Sequence, residues 1–196
     1  MNLPNKLTVG RMILVPFFVA AVLIDFPLHY LAALIIFVIA SLTDLLDGKI
    51  ARKNNLVTDF GKFADPLADK ILVLAALLCF VQNGFCDCVA VIIVLFREFA
   101  VTSIRLTAAA GGKIVAANIF GKIKTVTQMI AIIAILVMQT VLEIPFLFAD
   151  SAVGLYDILT PVFYVCGEIL IWISTIFAAI SGIIYIVQNK QFISEM

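Results

Sequence analysis

Charge is scarce in this chain. Of its 196 residues, only 13% are Asp, Glu, Lys or Arg, against about 25% in ordinary soluble domains. With 64% hydrophobic residues, that shortage excludes a soluble globular domain and calls for an integral membrane protein. The net charge is zero, so no general basic field for nucleic acid exists. Histidine is nearly absent: His29 stands alone in a short inter-span turn, where it reads as an ordinary interfacial residue. The four cysteines, Cys79, Cys86, Cys88 and Cys166, form no CxxC pair. A thiolate metal centre is thereby excluded, and incidental free thiols are expected. No small-x-small cleavage pattern follows the first apolar stretch, so that stretch reads as an uncleaved first helix.

What the chain has in abundance is long apolar runs. A bilayer core of about 30 Å needs roughly 20 apolar residues per helix. Six spans are expected, at 9–26, 31–52, 61–83, 88–110, 120–142 and 162–187. Residues 2–8 are expected to form a short interfacial segment before the first. The fold class is therefore all-α, a polytopic membrane protein with six transmembrane helices in a single domain, 1–196. Connections are short except for 143–161, which carries Pro145, Gly154 and Pro161.

Basic residues orient the spans. The connections at 27–30, 84–87 and 143–161 contain no Lys or Arg, while Asp87, Glu143, Asp150 and Asp157 lie there. Lys6, Arg11, Lys49, Arg52, Lys53, Lys62, Lys113, Lys122, Lys124 and Lys190 lie toward the other side. Both termini are thus expected on the cytoplasmic side of the cell's inner membrane. Arg97 lies too deep in the fourth span to reach the headgroups comfortably. It is expected to face a polar cavity or to pair with an acid such as Glu98 or Glu168.

Acids sit where hydrocarbon is expected. Asp44 and Asp47 close the second span, and Asp65 and Asp69 open the third. A carboxylate in that position costs several kcal/mol and is functional by default. Asp44 and Asp47, three apart, share a helix face, as do Gly61, Asp65 and Asp69, four apart. A short loop makes the two helices antiparallel neighbours, so the four carboxylates can meet near the cytoplasmic surface. Oxygen-only donors suit hard divalent cations such as Mg²⁺ or Mn²⁺. Four acids in one small site also require a compensating charge. A pair of metal ions is a common clamp for phosphoryl chemistry, and Arg52 suits a phosphate.

The full pattern is Asp44-x2-Asp47-Gly48-x2-Ala51-Arg52-x8-Gly61-x3-Asp65-x3-Asp69. It resembles, at all eight positions, the signature of the CDP-alcohol phosphatidyltransferases. Asn5, Thr8 and Arg11 resemble that family's N-x2-T-x2-R element. The stretches around the signature, REFAVTSIR (97–105) and FGKIKTVTQ (120–128) are similar to the bacterial phosphatidylglycerophosphate synthases within it. Resemblance covers most of residues 1–130, and the last third matches only as apolar spans. Two positions depart from the family pattern: Ser103 replaces a usual glycine and Lys49 a usual aromatic.

The resemblance implies transfer of the phosphatidyl group of CDP-diacylglycerol to sn-glycerol 3-phosphate, releasing CMP. It implies that Asp44, Asp47 and Asp65 hold two Mg²⁺ or Mn²⁺ ions, and that Asp69 completes that site and serves as general base. The CDP-lipid would lie near Asn5, Thr8, Arg11, Gly48, Ala51, Arg52 and Gly61. Arg97, Arg105, Lys122 and Lys124 would receive the glycerol phosphate, a dianion that needs cations. Membrane lipids and a second copy of the chain, as a homodimer, are the other implied partners. A sibling enzyme taking inositol phosphate, serine or phosphatidylglycerol is the alternative. A divalent-cation transporter needs acids across the whole bilayer, and here they lie toward one side. An intramembrane prenyltransferase usually carries its acids in two separated motifs rather than one compact signature.

Overall fold

The computed structural model describes residues 3–54, 59–110, 119–148 and 153–189, with backbone alone for 3–5, 44–54, 59–67, 69, 110, 145–148 and 153–155. Among the described residues every regular element is helical. The helices are α1 (Leu3–Leu23), α2 (His29–Asn54), α3 (Asp59–Gln82), α4 (Cys88–Ala110), α5 (Ile119–Phe148) and α6 (Val153–Gln188). Three of them are long and apolar enough to cross a membrane, over Lys6–Leu23, Ile119–Ile144 and Tyr156–Gln188. In α2 and α3 the described side chains give apolar stretches over His29–Thr43 and Lys70–Gln82.

Two expectations change. The segment 2–8 is not separate: from Leu3 it is the first part of α1. The connection 143–161 is largely helix, since α5 runs on to Phe148 and α6 begins at Val153. Pro161 lies inside α6 without ending it. A proline removes one backbone donor and clashes with one carbonyl, and a helix of 36 residues retains the rest of its ladder.

The chain forms two compact units. The first comprises residues 1–83 and 133–163, the second 84–132 and 164–196. In the first unit α1 packs against both α2 and α3. Its buried stripe is Thr8, Arg11, Val15, Phe18 and Val22, at the alternating three- and four-residue steps of one helix face. Facing it, α2 buries Ala33, Phe37 and Ala40. The Phe18 and Phe37 rings meet at 5.7 Å between centroids. On α3 the buried stripe is Leu72, Ala76 and Phe80.

One end of this unit is clasped by polar groups. Asn83 Nδ2 donates to the Val22 carbonyl at 3.4 Å and to the Tyr30 hydroxyl at 3.5 Å. Gly84 follows with φ of +74°, the left-handed conformation that ends a helix at low cost for glycine. The Glu143 carboxylate of α5 accepts the backbone N–H groups of His29 at 2.9 Å and Tyr30 at 3.2 Å. These are the first donors of α2, which have no intrahelical acceptor, and the helix N-terminus favours a negative charge. His29 Nδ1 donates to the Ala21 carbonyl at 3.1 Å, so the lone histidine ties the α1–α2 turn.

In the second unit α4 begins on Asp87, whose carboxylate accepts the Val89 N–H at 2.8 Å as an N-cap. Ile92, Phe96, Phe99 and Leu106 are exposed along one face of α4, while Val94, Val101, Ile104 and Ala108 are buried on the other. An outward stripe that apolar calls for lipid rather than water.

Replacing Glu143 with Ala takes its carboxylate from the Tyr30 N–H and leaves the His29 N–H with the Phe26 carbonyl, at 3.1 Å. The expected loss is about 2 kcal/mol of stability, with Glu143→Gln about half as damaging. Thermal unfolding in detergent measures it, and equal stability of Glu143→Ala and the parent would refute the cap.

Candidate functional site

The acids of the signature continue the packing stripes of the first unit. On α2, the steps Ala33, Phe37, Ala40 extend by the same four-and-three spacing to Asp44, Asp47 and Ala51. On α3, Phe80, Ala76 and Leu72 extend backward to Asp69 and Asp65. On α1, the apolar part of the stripe gives way to Arg11 and Thr8, both fully buried and both engaged by neighbours. Each of the three stripes is therefore apolar toward the Asn83 clasp and polar toward its far end.

Helix register makes the three polar ends coincide. Val22, Tyr30 and Asn83 are gathered at the clasp. Thr8, Asp44 and Asp69 each stand fourteen residues from those three anchors along α1, α2 and α3 respectively. At 1.5 Å per residue that is about 21 Å for all three. Just before this level, Ser41 and Thr43 donate their hydroxyls back to the Phe37 and Ala40 carbonyls, each at 2.7 Å, so no hydroxyl is left unpaired where α2 turns polar.

The side chains of Asn5, Asp44, Asp47, Gly48, Lys49, Ala51, Arg52, Gly61, Asp65 and Asp69 lie outside the described residues. Their backbone register is what the structure supplies. The donor set along the two stripes consists of carboxylates, with neither imidazole nor thiolate, and this chemistry fits hard divalent ions. All four cysteines are free, and burial pushes the Cys86 thiol in the α3–α4 turn up to about 12, far from a thiolate.

The expected acceptor cations all belong to the second unit. Arg97 is half-buried on α4, and its guanidinium forks: Nη1 donates to Glu98 Oε1 at 2.7 Å, Nη2 to Ser181 Oγ at 2.9 Å. The expectation that Arg97 pairs with an acid is met by Glu98. Lys124 is 5% exposed on α5, and its Nζ also donates to Glu98 Oε1, at 2.7 Å. Arg105, two turns further along α4, donates from Nε to the Tyr185 hydroxyl at 3.2 Å. Its guanidinium carbon lies 5.4 Å from the Tyr185 ring centroid, a cation–π distance. Lys122 is exposed. Ser103 also faces outward, so its departure from the family pattern leaves this inward face untouched.

Two residues of this arrangement escape sequence reasoning. Ser181 and Tyr185, which hold the cations together with Glu98, come from α6, which reads in sequence only as an apolar span. The available signal is the spacing of Ser174, Ala178, Ser181 and Tyr185, which puts small and polar groups on one buried face of α6. Gly182 belongs to the same face. A Cβ there would stand 2.9 Å from Arg97 Cγ, so glycine is what admits the arginine stem.

The chain belongs to the CDP-alcohol phosphatidyltransferase family, whose model matches residues 1–180. It is 43% identical over 203 aligned residues to the CDP-diacylglycerol–glycerol-3-phosphate 3-phosphatidyltransferase of Bacillus subtilis, covering 97% of this chain and 96% of that protein. The enzyme of the same name from Rickettsia bellii is 35% identical, with 97% of each chain covered. That from Haemophilus influenzae is 41% identical over 67% of this chain and 73% of its own.

Gly182→Ala should push Arg97 off Ser181 and cost about 1–3 kcal/mol, the range for overpacking a filled site. Thermal unfolding of the purified variant reads this directly. An unchanged midpoint would show that the Arg97 stem moves aside without loss.

Proposed function

We propose that residues 1–196 act as one integral-membrane enzyme that transfers the phosphatidyl group of CDP-diacylglycerol to sn-glycerol 3-phosphate. The products are phosphatidylglycerophosphate and CMP. All six helices cross the inner membrane in this reading, with both termini and the aspartates on the cytoplasmic side. The observation that carries it is the common level of the polar ends of α1, α2 and α3, where the signature aspartates meet the register of Thr8 and Arg11. The curated relatives' activity and their near-complete coverage support the choice of both substrates.

In this reading Asp44, Asp47, Asp65 and Asp69 hold two Mg²⁺ or Mn²⁺ ions. When bound, such ions neutralise the CDP diphosphate and make CMP a better leaving group. The small residues Gly48, Ala51 and Gly61 leave room for the nucleotide beside the helix backbones, and Asn5, Thr8, Arg11 and Arg52 supply its polar contacts. The 1-hydroxyl of glycerol 3-phosphate is a poor nucleophile at neutral pH, so a base must take its proton as it attacks. Asp69 accepts that proton. The new bond joins the hydroxyl oxygen to the lipid-side phosphorus, and the bond from that phosphorus to the CMP oxygen breaks. Arg97, Arg105, Lys122 and Lys124 receive the acceptor's phosphate.

The test is CMP release by the purified protein with CDP-diacylglycerol, Mg²⁺ or Mn²⁺ and a panel of alcohols. Release should depend on glycerol 3-phosphate and stop when EDTA removes the metal. Preference for inositol phosphate, serine or phosphatidylglycerol would overturn the substrate assignment. Asp69→Asn should bind CDP-lipid nearly as the parent does, yet turn over roughly 10²–10⁴ times more slowly, the usual range for removing a general base. Arg105→Ala should raise the KM for glycerol 3-phosphate with little change for CDP-diacylglycerol. Equal effects on both substrates would make Arg105 structural.

A further inference from the structure

We propose that Glu98 is a positioning residue for the acceptor: its carboxylate holds Arg97 and Lys124 together so that a phosphate monoester meets a preformed pair of cations. This rests on the reading that the acceptor carries a phosphate received in the second unit.

One oxygen does the holding. Glu98 Oε1 accepts from Arg97 Nη1 and from Lys124 Nζ, each at 2.7 Å. That length is characteristic of charge-assisted bonds. Arg97 and Glu98 are sequence neighbours on α4, whereas Lys124 comes from α5, so the carboxylate links two helices. A single acceptor atom keeps the two nitrogens within a few ångströms of each other. Without it, two cations in surroundings this dry repel and separate. All three side chains are largely buried, at 11%, 13% and 6% exposure for Arg97, Glu98 and Lys124.

Arg97 and Lys124 thus share one carboxylate oxygen. Among the described residues two buried donors beside them lack acceptors: Arg97 Nε, and Gln128 Nε2, one turn beyond Lys124 on the same face of α5. Buried donors are normally paired. Two cations on one oxygen and unfilled donors together describe a receptor for an anion, and Glu98 sets the spacing of its cations. Glu98 itself repels phosphate, so it acts only through Arg97 and Lys124.

The experiment is steady-state CMP release by the full-length protein in liposomes, varying glycerol 3-phosphate and CDP-diacylglycerol in turn, with thermal unfolding of each variant. Glu98→Gln should raise the KM for glycerol 3-phosphate about tenfold, the size of one charge-assisted bond, while the KM for CDP-diacylglycerol stays within about twofold. Glu98→Asp keeps the charge but is too short to reach both cations, and should raise the same KM by a smaller factor. If Glu98→Gln does not fold, Glu98→Asp carries the comparison. Combining Glu98→Gln with Lys124→Met should add nothing to the effect of Lys124→Met alone, because the two act as a unit. Parallel rises in both KM values, an unchanged KM in either Glu98 variant, or fully multiplicative effects in the double variant would overturn the proposal. Failure of the acceptor reading is seen separately, as a parent protein whose CMP release ignores glycerol 3-phosphate.

Discussion

A charge placed among apolar helices has to be matched where it stands, because water is not there to solvate it. This constraint organises both units. In the second, the Arg97 fork is satisfied by Glu98 on its own helix and by Ser181 on α6, and Lys124 is drawn to the same carboxylate. In the first, the Glu143 carboxylate is set against the N–H groups that begin α2. Neither arrangement is a surface ion pair of small worth. Removing one partner leaves the other buried and unmet, which is far costlier than the net gain from forming the pair.

The same constraint explains why the stripes of α1, α2 and α3 are apolar at one end and polar at the other. Packing by ridges and grooves needs side chains at three- and four-residue steps, whatever their chemistry. The apolar portion supplies adhesion, through contacts such as Phe18 on Phe37. The spacing does not change where the chemistry does, so the backbone register of Asp44, Asp47, Asp65 and Asp69 continues that of the packed stripes. The clasp at Asn83 then sets the zero from which all three helices are counted.

How much of this is legible in the sequence depends on whether the signal is periodic or pairwise. Apolar runs locate all six helices, because their length and composition leave little else to form. The interval 143–161 reads as a connection because Pro145, Gly154 and Pro161 are taken as breakers. In long apolar helices the loss of one backbone bond is outweighed by the burial and the ladder on either side, so the helices pass through. The aspartates are legible because their spacing is itself the signal. Glu98 is legible only as one of two candidate partners for Arg97. Adjacent residues on a helix do not usually face one another, so sequence alone does not choose it over Glu168. Its link to Lys124, twenty-six positions away, is pairwise and has no sequence signal. Tyr185 is hidden for a similar reason, as one aromatic in an apolar span.

The choice of residue types in the second unit follows from what each must do at once. Arg97 must reach two partners in different directions from one stem, which a planar guanidinium does and an ammonium does poorly. The stem needs space beside α6, which Gly182 leaves open. Lys124 meets Glu98 Oε1 as a point charge, which a compact ammonium supplies. Arg105 rests on the Tyr185 ring and hydroxyl together, so its orientation is set even though it lies nearer the surface. A tyrosine can do this because one end is apolar enough to pack with Val101 and Ile104 while the other accepts a hydrogen bond. Sparse charge thus does not mean weak electrostatics. Among the described residues, Arg97, Glu98, Arg105, Lys124 and Glu143 are each held by a specific neighbour, and those neighbours set where the charges stand.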